Sequence, residues 1–247
     1  MRLTVVGCSP AYTRQPGRAS SCYLVEHGPT AVVLDFGQGA FGELSAYRPP
    51  DALDAVFISH LHADHNVDLV PLRHYLTFEV EDARPPALYG PTDLRQRFRD
   101  FQRGATFDNF AGEVLEPGRW RVGVLQIQAA RVTHIPDSFA FRVSVIGADA
   151  PGIVYSGDCG VAEDLLQLIQ PNDWLLCESG WGVERKEPEV HLTAQEAGAV
   201  ARIGGAQQLV ITHVHDQDQN AETLEVASAA FGRTAHMAQP GLTLDIG

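Results

Sequence analysis

Four residues with metal-binding side chains fall within six positions in the run Ser59-His60-Leu61-His62-Ala63-Asp64-His65. His60 and His62 lie two apart at the end of an expected strand over 55–60. In extended chain they leave on the same side and can share one ion. The chain then turns toward the next helix. Asp64 and His65 on that turn reach a second, adjacent ion more easily than the first. Two adjacent sites need more ligands, and three candidates each follow an apolar, strand-like run: His134, Asp158 and His213. Taken singly, each has an ordinary alternative, a capping aspartate or a hydrogen-bonded histidine. Together they supply what a pair of sites would need.

In this order the seven residues resemble the ligand series of the metallo-β-lactamase superfamily, over nearly the whole chain. The resemblance implies that His60, His62 and His134 hold one ion, that Asp64, His65 and His213 hold the other, and that Asp158 bridges them. It implies an α/β fold, an αββα sandwich of two mixed sheets with outer helices, formed as one domain over 1–247. Asp35, in Leu34-Asp35-Phe36-Gly37, matches an aspartate that supports the site from behind the ligands; a turn aspartate before Gly37 is the alternative. Leu176-Cys177-Glu178-Ser179 and His191-Leu192-Thr193 resemble the phosphodiesterase branch, which includes the tRNA 3′-processing endonucleases. By that likeness Glu178 orients His191, and His191 protonates the leaving oxygen. The expected catalytic residues are thus Asp64, His191 and Glu178. The plain alternative is a strand-end carboxylate and a histidine that happens to precede a helix cap.

The expected cofactors are two divalent metal ions. Nitrogen and oxygen ligands suit zinc, with manganese or iron also acceptable. Two ions about 3.5–4 Å apart can share a hydroxide and polarise a phosphoryl oxygen. An alkoxide leaves poorly unless protonated, and a histidine beside a carboxylate suits that donation.

The substrate expected is a small anionic phosphodiester rather than long nucleic acid. Acids outnumber bases 31 to 18, giving a net charge of −13 that repels polyphosphate. The 24 positions from His134 to Asp158 leave no room for the RNA-gripping arm usual in the tRNA enzymes. The segment His213-Val214-His215-Asp216 also departs from their pattern, which includes an Arg–Tyr pair. Val6-Gly7-Cys8-Ser9 adds a likeness to bacterial cyclic-nucleotide phosphodiesterases of the superfamily. The rival readings are a lactone, thioester or lactam hydrolase of the same fold, a tRNA 3′-endonuclease, and a metal-binding module without turnover. Superfamily members often form homodimers, and the sequence leaves that open here.

These residues need elements to position them. Short β-branched runs predict strands over 3–7, 21–26, 31–36, 55–60, 120–132, 138–146, 153–156, 174–178, 208–212 and 235–246. Helical stretches are expected over 44–47, 67–76, 92–102 (Thr92 as N-cap, Gly104 just beyond its end), 161–169, 193–203 and 221–231. Thr193 and Glu196 have the capping-box spacing. The weakly periodic segment 79–118 is a candidate flap over the site.

Among the remaining candidates, Arg142 reads either as a phosphate ligand or as a solvated arginine. His215 and Asp216 read as a polar loop more than as pocket lining. His27, His74 and His236 lack a partner pattern. Cys8, Cys22, Cys159 and Cys177 form no CxxC pair and read as buried, reduced thiols, which suits the cytoplasm. The start, MRLTVVGCSP, has no signal-peptide core, and no apolar stretch approaches the ~20 residues of a membrane span.

Overall fold

The computed structural model describes residues 1–13, 15–103, 107 and 110–247. Two mixed sheets face one another. The first has the order β13-β1-β2-β3-β4-β5, where β1 is Arg2–Gly7, β2 Cys22–His27, β3 Thr30–Leu34, β4 Ala55–Phe57, β5 Ala87–Tyr89 and β13 Thr243–Asp245. The second has the order β12-β11-β10-β9-β8-β7-β6, where β6 is Gly118–Val122, β7 Leu125–Arg131, β8 Phe139–Val145, β9 Ile153–Tyr155, β10 Trp174–Glu178, β11 Gln208–Thr212 and β12 His236–Met237. The helices are α1 (Ala40–Leu44), α2 (Ala63–Asn66), α3 (Leu69–Phe78), α4 (Leu94–Phe101), α5 (Ala194–Ile203) and α6 (Asn220–Phe231).

Strands β3, β4, β9, β10 and β11 read as nearly unbroken apolar runs because both of their faces are covered. In β2 and β3, Tyr23, Val25, Val32 and Leu34 point into the layer between the sheets, where they meet Ile127, Phe141 and Tyr155. Their neighbours Cys22, Leu24, Ala31 and Val33 point outward onto Leu44, Leu72 and Phe98 of the helices. On the far side, Leu175, Cys177, Leu209 and Ile211 pack against Ala197, Val200, Ala227 and Phe231 of α5 and α6. This is the expected αββα sandwich.

Several boundaries differ from the sequence expectation. The run 120–132 is a hairpin, because the chain turns at Gly123, which has φ +53°. The run 235–246 splits at the Pro240-Gly241 turn, sending β12 to one sheet and β13 to the other. The stretch 161–169 is a short 3₁₀ helix over Ala162–Gln167. Helix α4 begins at Leu94, so Thr92 does not cap it, and Gly104 lies outside the described residues. Where 79–118 is described, it belongs to the sandwich rather than to a flap. It supplies edge strand β5, and Leu94, Phe98, Phe107 and Phe110 are buried against the first sheet. The Arg95 guanidinium ties the segment together by donating to the carbonyls of Phe107, Phe110 and Ala111. Among the described residues no helix is long and apolar enough to cross a membrane.

Candidate metal centre

In the second sheet β9, β10 and β11 are parallel, and β7 runs with them across two antiparallel steps. Their C-terminal ends therefore meet one edge of the sandwich. His134 follows β7, Asp158 follows β9, Glu178 ends β10 and His213 follows β11. The first sheet adds the loop after β4, with His60 and His62, and then α2, with Asp64 and His65.

His60 and His62 do not stand on strand residues, because β4 pairing stops at Phe57. They converge instead through the loop. His60 Nε2 and His134 Nε2 each lie 3.1 Å from His62 Nδ1. Asp158 Oδ2 is 3.6 Å from His60 Nε2 and 3.8 Å from His134 Nε2. A second group abuts the first. His65 Nε2 is 3.5 Å from Asp64 Oδ2, and His213 Nε2 is 3.8 Å from the same oxygen. Asp158 lies between the groups, with Oδ1 3.3 Å from His65 Nε2 and Oδ2 3.3 Å from His213 Nε2. The structure brings together all seven residues singled out in the sequence.

These residues fit divalent cations on two observations. His65 Nε2 and Asp158 Oδ1 are buried without any hydrogen-bond partner, and such orphans need an explanation, an ion being one. The second observation is that the opposite ring nitrogens are occupied. His65 Nδ1 donates to Asp35 at 2.7 Å, and His134 Nδ1 donates to the Val190 carbonyl at 2.7 Å. The His60 and His213 Nδ1 atoms face Ser59 and Ser21 hydroxyls at 3.0 and 3.3 Å. Each ring thereby turns one nitrogen to the centre, as metal-binding histidines do. Ligand nitrogens on a tetrahedral zinc stand about 3.3 Å apart, close to the separations here.

The charges agree. Burial drives the His213 imidazole down to about 3, and burial likewise lowers His60 and His134, so these rings stay neutral. At Asp64 burial pushes the carboxyl up, but His65 and His213 outweigh it and hold it at about 2. His65 is the exception. Burial opposes its charge, yet Asp158 and Asp35 raise it, so a proton there occupies the place a cation would take.

Asp35 is fully buried and accepts four hydrogen bonds, from the Ser59 amide and hydroxyl, His65 and the Tyr155 hydroxyl. It supports the cluster from behind rather than merely shaping a turn. Sequence reasoning missed Ser59, Tyr155 and Asn66, whose side-chain amide holds the carbonyls of His60 and His62. Only the adjacency of Ser59 and Asn66 to the histidine run could have flagged them. Gly37 allows the Asp64 carbonyl to approach, since a Cβ there would sit 2.0 Å from that oxygen.

Glu178 and His191 meet beside the cluster. His191 Nδ1 lies 3.2 Å from Glu178 Oε1, and its ring centre is 5.0 Å from that of His134. The amides of Cys159, Gly180 and Leu192 all donate to the Glu178 carboxylate, which fixes it. Burial works against charge on His191, but the hydrogen bond and charge of Glu178 prevail and raise its pKa.

His215 is not part of a mere polar loop: its ring lies 4.8 Å from His191 and 5.3 Å from Trp181. Asp216 remains a loop residue and accepts from the Asp218 amide. Arg142 fits neither sequence reading. It is buried in a two-bonded pair with Asp173 at 2.7 and 2.8 Å, below the opposite edge. Cys159 packs in the core, as expected.

A family model described as a beta-lactamase superfamily domain matches residues 30–214. The uncharacterized protein Rv1339 of Mycobacterium tuberculosis is 31% identical over 252 residues, covering 96% of this chain and 89% of that protein. The probable metallo-hydrolase YhfI of Bacillus subtilis is 25% identical over 247 residues, covering 98% of each chain. The crystal structure of YhfI superposes with a TM-score of 0.86 over 99% of both chains. That of the short form of human tRNase Z gives 0.77 over the whole of both, at 21% identity. With the family model matching most of the chain and the same sandwich in YhfI, this chain belongs to the metallo-β-lactamase superfamily, a family of metallo-hydrolases.

Proposed function

We propose that this protein hydrolyses a small phosphodiester at a two-metal centre, with His191 giving the leaving oxygen its proton. His60, His62 and His134 would hold one ion, Asp64, His65 and His213 the other, and Asp158 would span both. Zinc suits the donor set, and manganese or iron is the alternative. When bound, such ions supply Lewis acidity and lower the pKa of water.

The observation that carries the reading is the Glu178–His191 pair. Three backbone amides pin the Glu178 carboxylate, and Glu178 in turn fixes His191 through Nδ1. That leaves Nε2 to carry the proton that is passed on. Raising the His191 pKa keeps that proton on the ring until the ester bond breaks. Opening a lactone or activated thioester places less demand on such an acid. A tRNA substrate is disfavoured by the net charge of −13. The buried, unpaired thiols of Cys22, Cys159 and Cys177 support placing the enzyme in a reducing cytoplasm.

The test compares wild type with His191→Ala on bis(p-nitrophenyl) phosphate and on a phosphodiester with an alkoxide leaving group. The expected loss in kcat is about 10²–10⁴-fold on the alkyl ester, the usual weight of a general acid, and smaller on the p-nitrophenyl ester. Asp64→Ala should abolish turnover of both. A wild type that ignores phosphodiesters, yet opens lactones or thioesters with His191→Ala unaffected, would sink the proposal.

A further inference from the structure

A pocket of about 340 Å³ opens beside His213. Its walls are the β1–β2 loop, the loop after β11, the first turns of α6 and the residues around β12. Its chemistry is unlike that of the chain as a whole. Acids outnumber bases 31 to 18 in the sequence, yet among the described residues none that lines this pocket is an acid. Its polar lining includes four amides, Gln15, Gln217, Asn220 and Gln239, beside the hydroxyls of Ser9 and Thr212. Among the described residues Arg18 is the one fixed positive charge of the lining, and Leu224 and Met237 add apolar surface. The Asn220 Oδ1 atom is buried and has no hydrogen-bond partner.

Carboxamides offer a donor and an acceptor side by side. That pattern pairs with the edge of a heterocyclic base, as Asn and Gln do with adenine, while apolar side chains cover the ring face. A bare anion would call for more cations than the one described arginine, and an acyl chain would leave the buried Asn220 Oδ1 unpaired, which carries a cost. The volume is that of a small-ligand site. His213 forms part of both the pocket wall and the metal cluster, so the pocket adjoins the cluster.

We propose that this pocket receives the nucleobase of a nucleoside phosphodiester, with the amides of Asn220 and Gln239 reading its edge. The proposal rests on the phosphodiesterase reading above. Gln15 and Gln239 are exposed at the rim, so their replacement does not threaten the fold.

The experiment titrates metal-loaded protein with AMP, GMP and CMP, and with ribose 5-phosphate, which has the phosphate but no base. The best nucleotide is expected to bind at least about tenfold more tightly than ribose 5-phosphate, since one good amide–base pair is worth about 1–3 kcal/mol. Asn220→Ala and Gln239→Ala should each lower that preference by about fivefold or more. In the same variants the ratio of kcat/KM for the matching 3′,5′-cyclic nucleotide to that for bis(p-nitrophenyl) phosphate should fall in step. Equal affinity for nucleotide and ribose 5-phosphate in the wild type, or a preference preserved in both variants, overturns the assignment. If bis(p-nitrophenyl) phosphate is cleaved in that case, only the pocket assignment falls. If no phosphodiester is cleaved, the functional reading falls and takes the pocket with it.

Discussion

At the residue scale the site depends on what holds each ring as much as on the rings themselves. Asp35 has φ 59°, a conformation rarely adopted by residues other than glycine, which a network of four hydrogen bonds maintains. Asp35→Ala frees His65 to turn and strands the Tyr155 hydroxyl. Metal affinity is expected to fall about 10–100-fold, the usual cost of losing such a support, as measured by competition with a chromogenic chelator. Unchanged affinity would mean that Asp35 only shapes its turn. Gly180 gives a second prediction. A Cβ at this position would lie 2.8 Å from Cγ and 2.9 Å from Nδ1 of His191, so the ring would have to move off Glu178. Gly180→Ala should keep its metal yet lose at least about tenfold in turnover of an alkyl phosphodiester, approaching His191→Ala. Full activity would show that the Glu178–His191 geometry does not matter. The ligand series itself was legible in the sequence, because it lies in one dense run and at strand ends. Ser59, Tyr155 and Asn66 were not, because serine, tyrosine and asparagine side chains serve many structural roles and only folding reveals which of them support the cluster.

At the element scale, legibility followed burial. Runs such as 31–34 and 208–212 announced their strands because both faces are covered, so no polar residue interrupts them. The three-residue β5 escaped notice, since Ala87-Leu88-Tyr89 is too short for any period to show. The break in 120–132 turned on one glycine and was hidden by the β-propensity on either side. Helix α5 was read correctly to its first turn because its cap is local. Thr193 Oγ1 accepts from the Glu196 amide, and Glu196 accepts from the Thr193 amide in return. This cap lies two residues beyond His191, so it also fixes where that loop meets the helix. Thr193→Ala should cost about 1 kcal/mol, which lowers the melting temperature by about 2–4 °C in a chain of this size. A melting temperature unaltered within error would show that the surrounding packing alone holds the helix start.

At the scale of the whole molecule the metal cluster is a seam. His60, His62, Asp64 and His65 come from the first sheet's connections, and His134, Asp158 and His213 from the second's. Direct bonds across the seam include Tyr23 to Thr212 at 2.7 Å, Tyr155 to Asp35 at 2.7 Å, Ser21 to His213 at 3.3 Å, and the Phe139 amide to the Ser59 carbonyl at 3.0 Å. Cations held from both sides would add a link that the unfolded chain cannot reproduce, since its ligands are scattered over more than 150 positions. A ligand present at about 100 times its dissociation constant stabilises by about 2.7 kcal/mol, or about 5–10 °C in melting temperature here. Stripping the metal with a chelator should therefore lower the melting temperature by at least that much, and returning zinc should restore it. Asp158→Ala removes the one carboxylate that faces both groups, so in this variant the zinc-dependent rise should shrink to a few degrees at most. If chelation abolishes activity while the melting temperature of the wild type stays put, the ions serve chemistry alone. The two sheets would then be joined by their apolar layer without help from the centre at its edge.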